Sequence, residues 1–347
     1  MSGYWLLISL PALLSFGGYR RRRQVYLGLY LIGLFYLLFI GLRYKVGADR
    51  RAYADMYQFI ATSPFAEGIR HTEPGFALVN WLVAQIDGSV FTVNFLVAAL
   101  FVSGLIRFAK TVPLPWIALV SVTPYLVIAI GLSATRQAAA IGLVFHLMAS
   151  WRQGLLKKAL IASTAVTFHY SALMGFIFLQ QSIKMANWLR FTLLMLGAAV
   201  MYPVLSSTDA FAKYHDTYIT HDLMSPGAFM HVLLNVIPGL IYIVTRKKWS
   251  QKFGPSDLLP MLSVLSIGSM LALPISSTAV DRLALYLSPV QMIVYGSLPL
   301  LFGAKYRILL TAAIVIYHLA IMFWWLNFAN TAQGFIPYGN LISLLFS

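Results

Sequence analysis

The chain has 347 residues, 60% hydrophobic and 10% charged, with a formal net charge of +15 and a mean hydropathy of +0.78. A soluble domain carries about 25% charged residues, so the composition excludes an ordinary soluble enzyme and predicts one integral membrane domain, 1–347, built as an all-α polytopic bundle. The absence of cysteine excludes disulfides, thiolate metal sites and thiol nucleophiles, and the basic excess reads as loop topology rather than nucleic-acid binding.

The first apolar run, Tyr4 to Phe16, has no basic segment before it and is followed by Arg20-Arg21-Arg22-Arg23. That order predicts a membrane segment with a cytoplasmic stop, not a cleaved leader. Further apolar runs lie near 24–42, 90–108, 113–131, 136–151, 189–205, 228–245, 257–275, 281–302 and 307–327. Two more are ambiguous: 74–87 is short for the ~20 residues a span needs, and 158–181 is interrupted by Thr167, His169, Tyr170 and Ser171. The basic clusters are Arg20–Arg23, Arg107 with Lys110, Arg152 with Lys157 and Lys158, Arg246–Lys248 with Lys252, and Lys305 with Arg307. All of them fall in the cytoplasm only if both ambiguous runs are re-entrant or interfacial. The expectation is therefore about 10–12 spans, one or two re-entrant or short helices, and outer loops at 43–89 and 206–230. Nine of the ten acids, all but Asp257, then share the outer side. A working cavity on that face is the economical reading.

The candidate site residues follow in chain order. In Arg43-Tyr44-Lys45-Val46-Gly47-Ala48-Asp49, the glycine ends a turn and Asp49 is placed to cap a helix. Asp49, Tyr53 and Tyr57 recur at helical spacing on one face of what reads as an amphipathic interfacial helix. Glu73-Pro74-Gly75-Phe76 puts proline at a helix entry and a carboxylate at its positive end. Ser133-Ala134-Thr135-Arg136-Gln137 opens a helix rich in small residues, and Arg136 there calls for an anionic partner. Arginine suits phosphate because its planar fork of donors matches the oxygens. His169 breaks the second ambiguous run, and polar groups at membrane depth are costly enough to suggest function. Asp281-Arg282 marks another outer mouth, where Arg282 reads as a second anion donor oriented by Asp281 or as half of a local ion pair. The tail Ile336-Pro337-Tyr338-Gly339-Asn340 and the loop 206–230, with Tyr214, His215, Asp216, Tyr218, His221 and Asp222, complete the outer face. The histidines show no metal-ligand spacing, and no phosphate loop, nucleophile elbow or dinucleotide fingerprint is present. An outer-face enzyme would therefore use an activated, membrane-bound donor and no cofactor.

The ordered series RYKVGAD, YADMYQF, EPGF with Asn80, ATRQAAA, FHYSAL, DRLALYL and PYGN resembles the EpsG-like family of bacterial polysaccharide polymerases, a branch of the Wzy-type polymerases. The resemblance spans residues 40–340. Arg50 stands where the family more often has an aromatic residue, and Ala134-Thr135 where it commonly has asparagine or glycine. The resemblance implies a multi-pass glycosyltransferase of the bacterial cytoplasmic membrane with its site facing the periplasm or cell exterior. It would move a growing glycan from undecaprenyl diphosphate to the sugar of a new lipid-linked repeat unit, alongside a flippase and a chain-length regulator. On that expectation Arg43, Arg136 and Arg282 bind diphosphate without a metal. Glu73, Asp49 or His169 positions or deprotonates the acceptor, with Glu73 preferred as a helix-entry carboxylate. Tyr44, Tyr53, Gln137, Asp281 and Tyr338 line the substrate site. An O-antigen ligase or membrane acyltransferase would share the arginines. A transporter or flippase would instead place ionisable groups near mid-membrane and on both faces.

Overall fold

A computed structural model describes residues 2–17, 22–180, 225 and 227–344, with a few isolated positions between 183 and 196. Most of the run 189–205 and most of the loop 206–230 lie outside the described residues.

The protein is an all-α polytopic bundle. In chain order, α1 is Ser2–Ser15, α2 Arg22–Gly41, α3 Arg50–Thr62, α4 Pro74–Gln85, α5 Val90–Ala109, α6 Pro115–Ser133, α7 Thr135–Ala149 and α8 Leu155–Phe168. Then α9 is Met174–Gln180, α10 Ala228–Phe253, α11 Leu258–Ala272, α12 Ser277–Ala284, α13 Pro289–Tyr295 and α14 Ala304–Phe328. Among the described residues, α2, α5, α6, α10 and α14 are long and apolar enough to cross a membrane. Ser277–Leu287 with Pro289–Leu301 adds a sixth if the pair is one span bent by 45°.

Shorter helices also join the two ends of the bundle. At one end Arg43 donates both to Thr135, at the start of α7, and to Asn94, near the start of α5. Ser150, just past the last turn of α7, accepts from Arg107 at the other. Glycine permits this tight run: a side chain at Gly142 would meet the backbone of Phe101, and one at Gly104 the backbone of Gly142, so α5 and α7 touch main chain to main chain.

The two ambiguous runs both fold as short helices. Helix α8 climbs to His169, a single turn at Tyr170–Leu173 follows, and α9 comes back so that Leu179 packs with Ala162 and Leu147. Helix α4 has 12 residues. It starts beside Thr167 and ends where the Tyr57 hydroxyl donates to the Gly88 carbonyl. Both of its ends lie at the same end of the bundle.

The charges segregate along the same axis. At one end Lys110 sits over Tyr26 and Tyr30, Arg107 reaches Ser150, Lys158 reaches Trp151, and Lys248 lies over Phe302. The other end holds Glu73, Arg136, His169, His231, Asp281 and Arg282. The tail closes this second end. Asn340 bridges Arg43, Gly339 accepts from the Tyr44 amide, Gly334 accepts from the Gly47 amide, and Tyr4 donates to the Phe335 carbonyl. Gly47 takes φ +104° against the Leu132 carbonyl, which leaves no room for a side chain.

Candidate functional site

The site begins with the Glu73–Arg136 pair. Glu73 stands at the entry of α4 as its spacing predicts, but its side chain does not cap that helix. It turns instead to Arg136, 2.6 Å from Nη1, and also accepts from Thr72 at 2.7 Å. Burial alone would raise the Glu73 carboxyl. Arg136, His169 and the Thr72 hydroxyl outweigh it and hold the group below its ordinary value. Arg136 also donates to Thr72 at 2.9 Å and lies over the Tyr53 ring. Its Nε is buried and has no acceptor. A buried, unsatisfied guanidinium N–H costs free energy unless something accepts from it.

His169 ends α8 in extended backbone. Its Nδ1 accepts from the Ser171 amide at 3.2 Å, which puts the proton of the neutral ring on Nε2. Ser171 donates in turn to the buried Tyr286 hydroxyl at 3.1 Å. Arg282 acts electrostatically on His169, Tyr286 and Tyr125. The Gln137 side-chain amide fixes it by donating to the Arg282 carbonyl at 2.8 Å. Thus Glu73, Arg136, Gln137, His169 and Arg282 meet although they come from four separate stretches of chain.

The remaining sequence candidates sit around this group. Tyr53 is buried under it, its hydroxyl accepting from the Arg136 amide. Asp49 is exposed at the rim. It occupies the helix-cap position, yet its carboxylate accepts from Ser133 rather than capping. Arg43 is 5% exposed and donates to Ile40, Asn94 and Thr135, all neutral acceptors, at 2.8–3.0 Å. Burial pushes its guanidinium down to about 10. Arg43 therefore locks α2 to α5 and α7 behind Arg136. Tyr44 packs on Phe91. Tyr338 stacks on Phe39 and donates to its carbonyl. These two tyrosines belong to the tail clamp.

Asp281 anchors a second cluster. It accepts from Tyr125 at 3.1 Å, from Ser225 at 2.8 Å and from His231 Nδ1 at 3.0 Å, and the His231 ring stacks on Tyr125. Sequence reasoning missed His231 and Tyr125. The first opens a helix and looks like a loop edge; the second is one aromatic in an apolar run. Tyr125 is presented by a wide π-helical stretch, Thr123–Ile130, inside α6, a distortion that often accompanies function. Among the described residues, no three His, Asp or Glu side chains group as a metal site.

No curated protein and no solved structure matches the chain. The family model named EpsG family matches residues 26–340. The chain therefore belongs to the EpsG family, whose members are Wzy-type membrane polysaccharide polymerases.

Proposed function

We propose that this protein polymerises lipid-linked oligosaccharides on the outer face of the bacterial cytoplasmic membrane. It transfers a growing glycan from undecaprenyl diphosphate to the sugar of a new lipid-linked repeat unit. The observation that carries this reading is Arg136: a guanidinium fixed by Glu73, with a buried Nε that no acceptor satisfies. Beside it are the Nε2 donor of His169 and the charge of Arg282. A phosphate oxygen supplies what this donor set lacks.

In this reading Arg136 and Arg282 contact the diphosphate and take up the charge of the leaving group. Arg43 contributes a fixed positive potential from behind Thr135, and Glu73 orients Arg136. His169 donates a hydrogen bond. Tyr53, Gln137 and Asp49 shape the wall, while Tyr44 and Tyr338 hold the tail that closes it. The sidedness follows from the basic end of the bundle, which the positive-inside rule assigns to the cytoplasm. Chain-length regulation and delivery by a flippase are the partners such a reaction calls for.

The test is deletion of the gene followed by a gel of surface polysaccharide. Single repeat units should replace long chains, and normal chain lengths would refute the proposal. Complementation with Arg136→Lys keeps the charge but loses the fork. It should lower polymer yield at least tenfold; full activity would rule out diphosphate recognition by Arg136.

A further inference from the structure

At the basic end of the bundle, Lys110 stands just past the last turn of α5 and is only half exposed. Its ammonium lies 3.5 Å from the ring centroid of Tyr30 and 5.3 Å from that of Tyr26, both on α2. Arg22, the first residue of α2, donates from Nε to the Tyr26 hydroxyl at 2.8 Å, and its guanidinium carbon is 5.2 Å from the same ring. Arg22, Tyr26 and Tyr30 recur every four residues, so they form one stripe along α2. The stripe follows the seam with α5. A Cβ at Gly33 would come within 2.9 Å of Ile106, one turn before Lys110, so the two helices touch there and close the seam below Tyr30. On its other flank Leu27, Leu31 and Leu34 are exposed, an apolar face that suits hydrocarbon.

Two cations thus share the Tyr26 ring. A ring face attracts a cation but accepts its hydrogen bonds only weakly. Among the described residues no carboxylate pairs with Lys110 or Arg22, and Arg23 adds a third, exposed charge beside them. Like charges gathered at one place repel, and an anion among them relieves that repulsion.

We propose that this seam binds one anionic phospholipid, whose phosphate accepts from Lys110 and Arg22 and whose acyl chain lies along Leu27, Leu31 and Leu34. The ammonium acts as a point charge and the guanidinium offers its fork of donors. The Tyr26 hydroxyl accepts from Arg22 and keeps its own proton to donate to the headgroup. A phosphatidylcholine carries the same phosphate with a fixed cation attached, which Lys110 and Arg22 repel. A free phosphate ion has the charge but nothing to cover the leucines. Other basic residues at this end are arranged differently: Lys248 and Lys305 each lie over a single ring, and Lys157 is exposed. The seam is at the opposite end from the Arg136 group, so this site does not depend on the reaction proposed above.

The experiment titrates the full-length protein in a neutral detergent with dioleoylphosphatidylglycerol and counts bound lipid by native mass spectrometry. One basic residue at a membrane surface is worth about fivefold in affinity. Lys110→Gln and Arg22→Gln should each weaken the first binding step by about that factor, and the double variant by about 30-fold. Lys110→Arg keeps both the charge and the ring contact and should bind within about twofold of the unchanged protein. Lys157→Gln removes a charge at the same end and should also stay within about twofold. Dioleoylphosphatidylcholine, with the same chains, should bind at least about tenfold more weakly. Equal binding of the two lipids, or a double variant within twofold of the unchanged protein, would overturn the proposal. So would a loss in Lys157→Gln as large as in Lys110→Gln, which would mean diffuse attraction without a site. A loss in Lys110→Arg equal to that in Lys110→Gln would show that charge is not what binds, and displacement of the lipid by an equal concentration of inorganic phosphate would show that the leucine face contributes nothing; either result refutes it.

Discussion

Glu73 shows how a residue can be legible while its work is not. The EPGF spacing marks a helix-entry carboxylate, and the helix does start at Pro74. Its partner Arg136 is 63 residues away, and no local pattern encodes that contact. The pairing has a definite pH signature. The Glu73 carboxyl is held below its ordinary value of 4.5. Its stabilisation is therefore complete above 4.5 and is lost as the pH falls through the depressed folded-state value. Glu73→Gln should lower stability by about 3 kcal/mol at neutral pH, the low end for a broken buried pair, because the Arg136 side chain keeps 30% exposure. The gap to the unchanged protein should stay constant from pH 7 to 4.5 and close only below that. Denaturant melts in detergent across this range check it; a gap closing near pH 6 would point to a different partner.

Helices α5 and α7 carry the site, since their first turns present Asn94, Thr135 and Arg136. The ATRQAAA pattern predicts close helix approach, and Gly142 meeting Phe101 is that approach in detail. Gly142→Ala should cost about 1–3 kcal/mol by overpacking and lower the detergent melting temperature. A melting temperature equal to the parent's would mean that the crossing can open without loss. Sequence also anticipated the break at His169 and the short helix after Glu73, because both interrupt an apolar period. The π-helical stretch that presents Tyr125 was invisible. Thr123-Pro124-Tyr125 inside an apolar run looks the same whether the helix continues or widens, and the choice depends on what packs beside it.

The whole molecule is organised by its charge axis, with a basic end and a mixed-sign end. Ser63 follows α3 at the mixed end. The chain has no cysteine of its own, so Ser63→Cys gives one labelling position. In intact cells it should react with an impermeant maleimide from outside; labelling only after permeabilisation would reverse the proposed orientation. Composition and period alone determined an all-α membrane bundle, the basic clusters at one end and the family series from Arg43 to Asn340. Those features depend on transfer free energy and chain spacing, which are local. Tertiary structure decided which of the marked residues meet. It joined Glu73 to Arg136, buried Arg43 as a helix lock, moved Tyr44 and Tyr338 into the tail clamp, and seated His231 on Asp281. Each of those outcomes turns on satisfying a buried polar group with a partner far along the chain, and only packing chooses that partner.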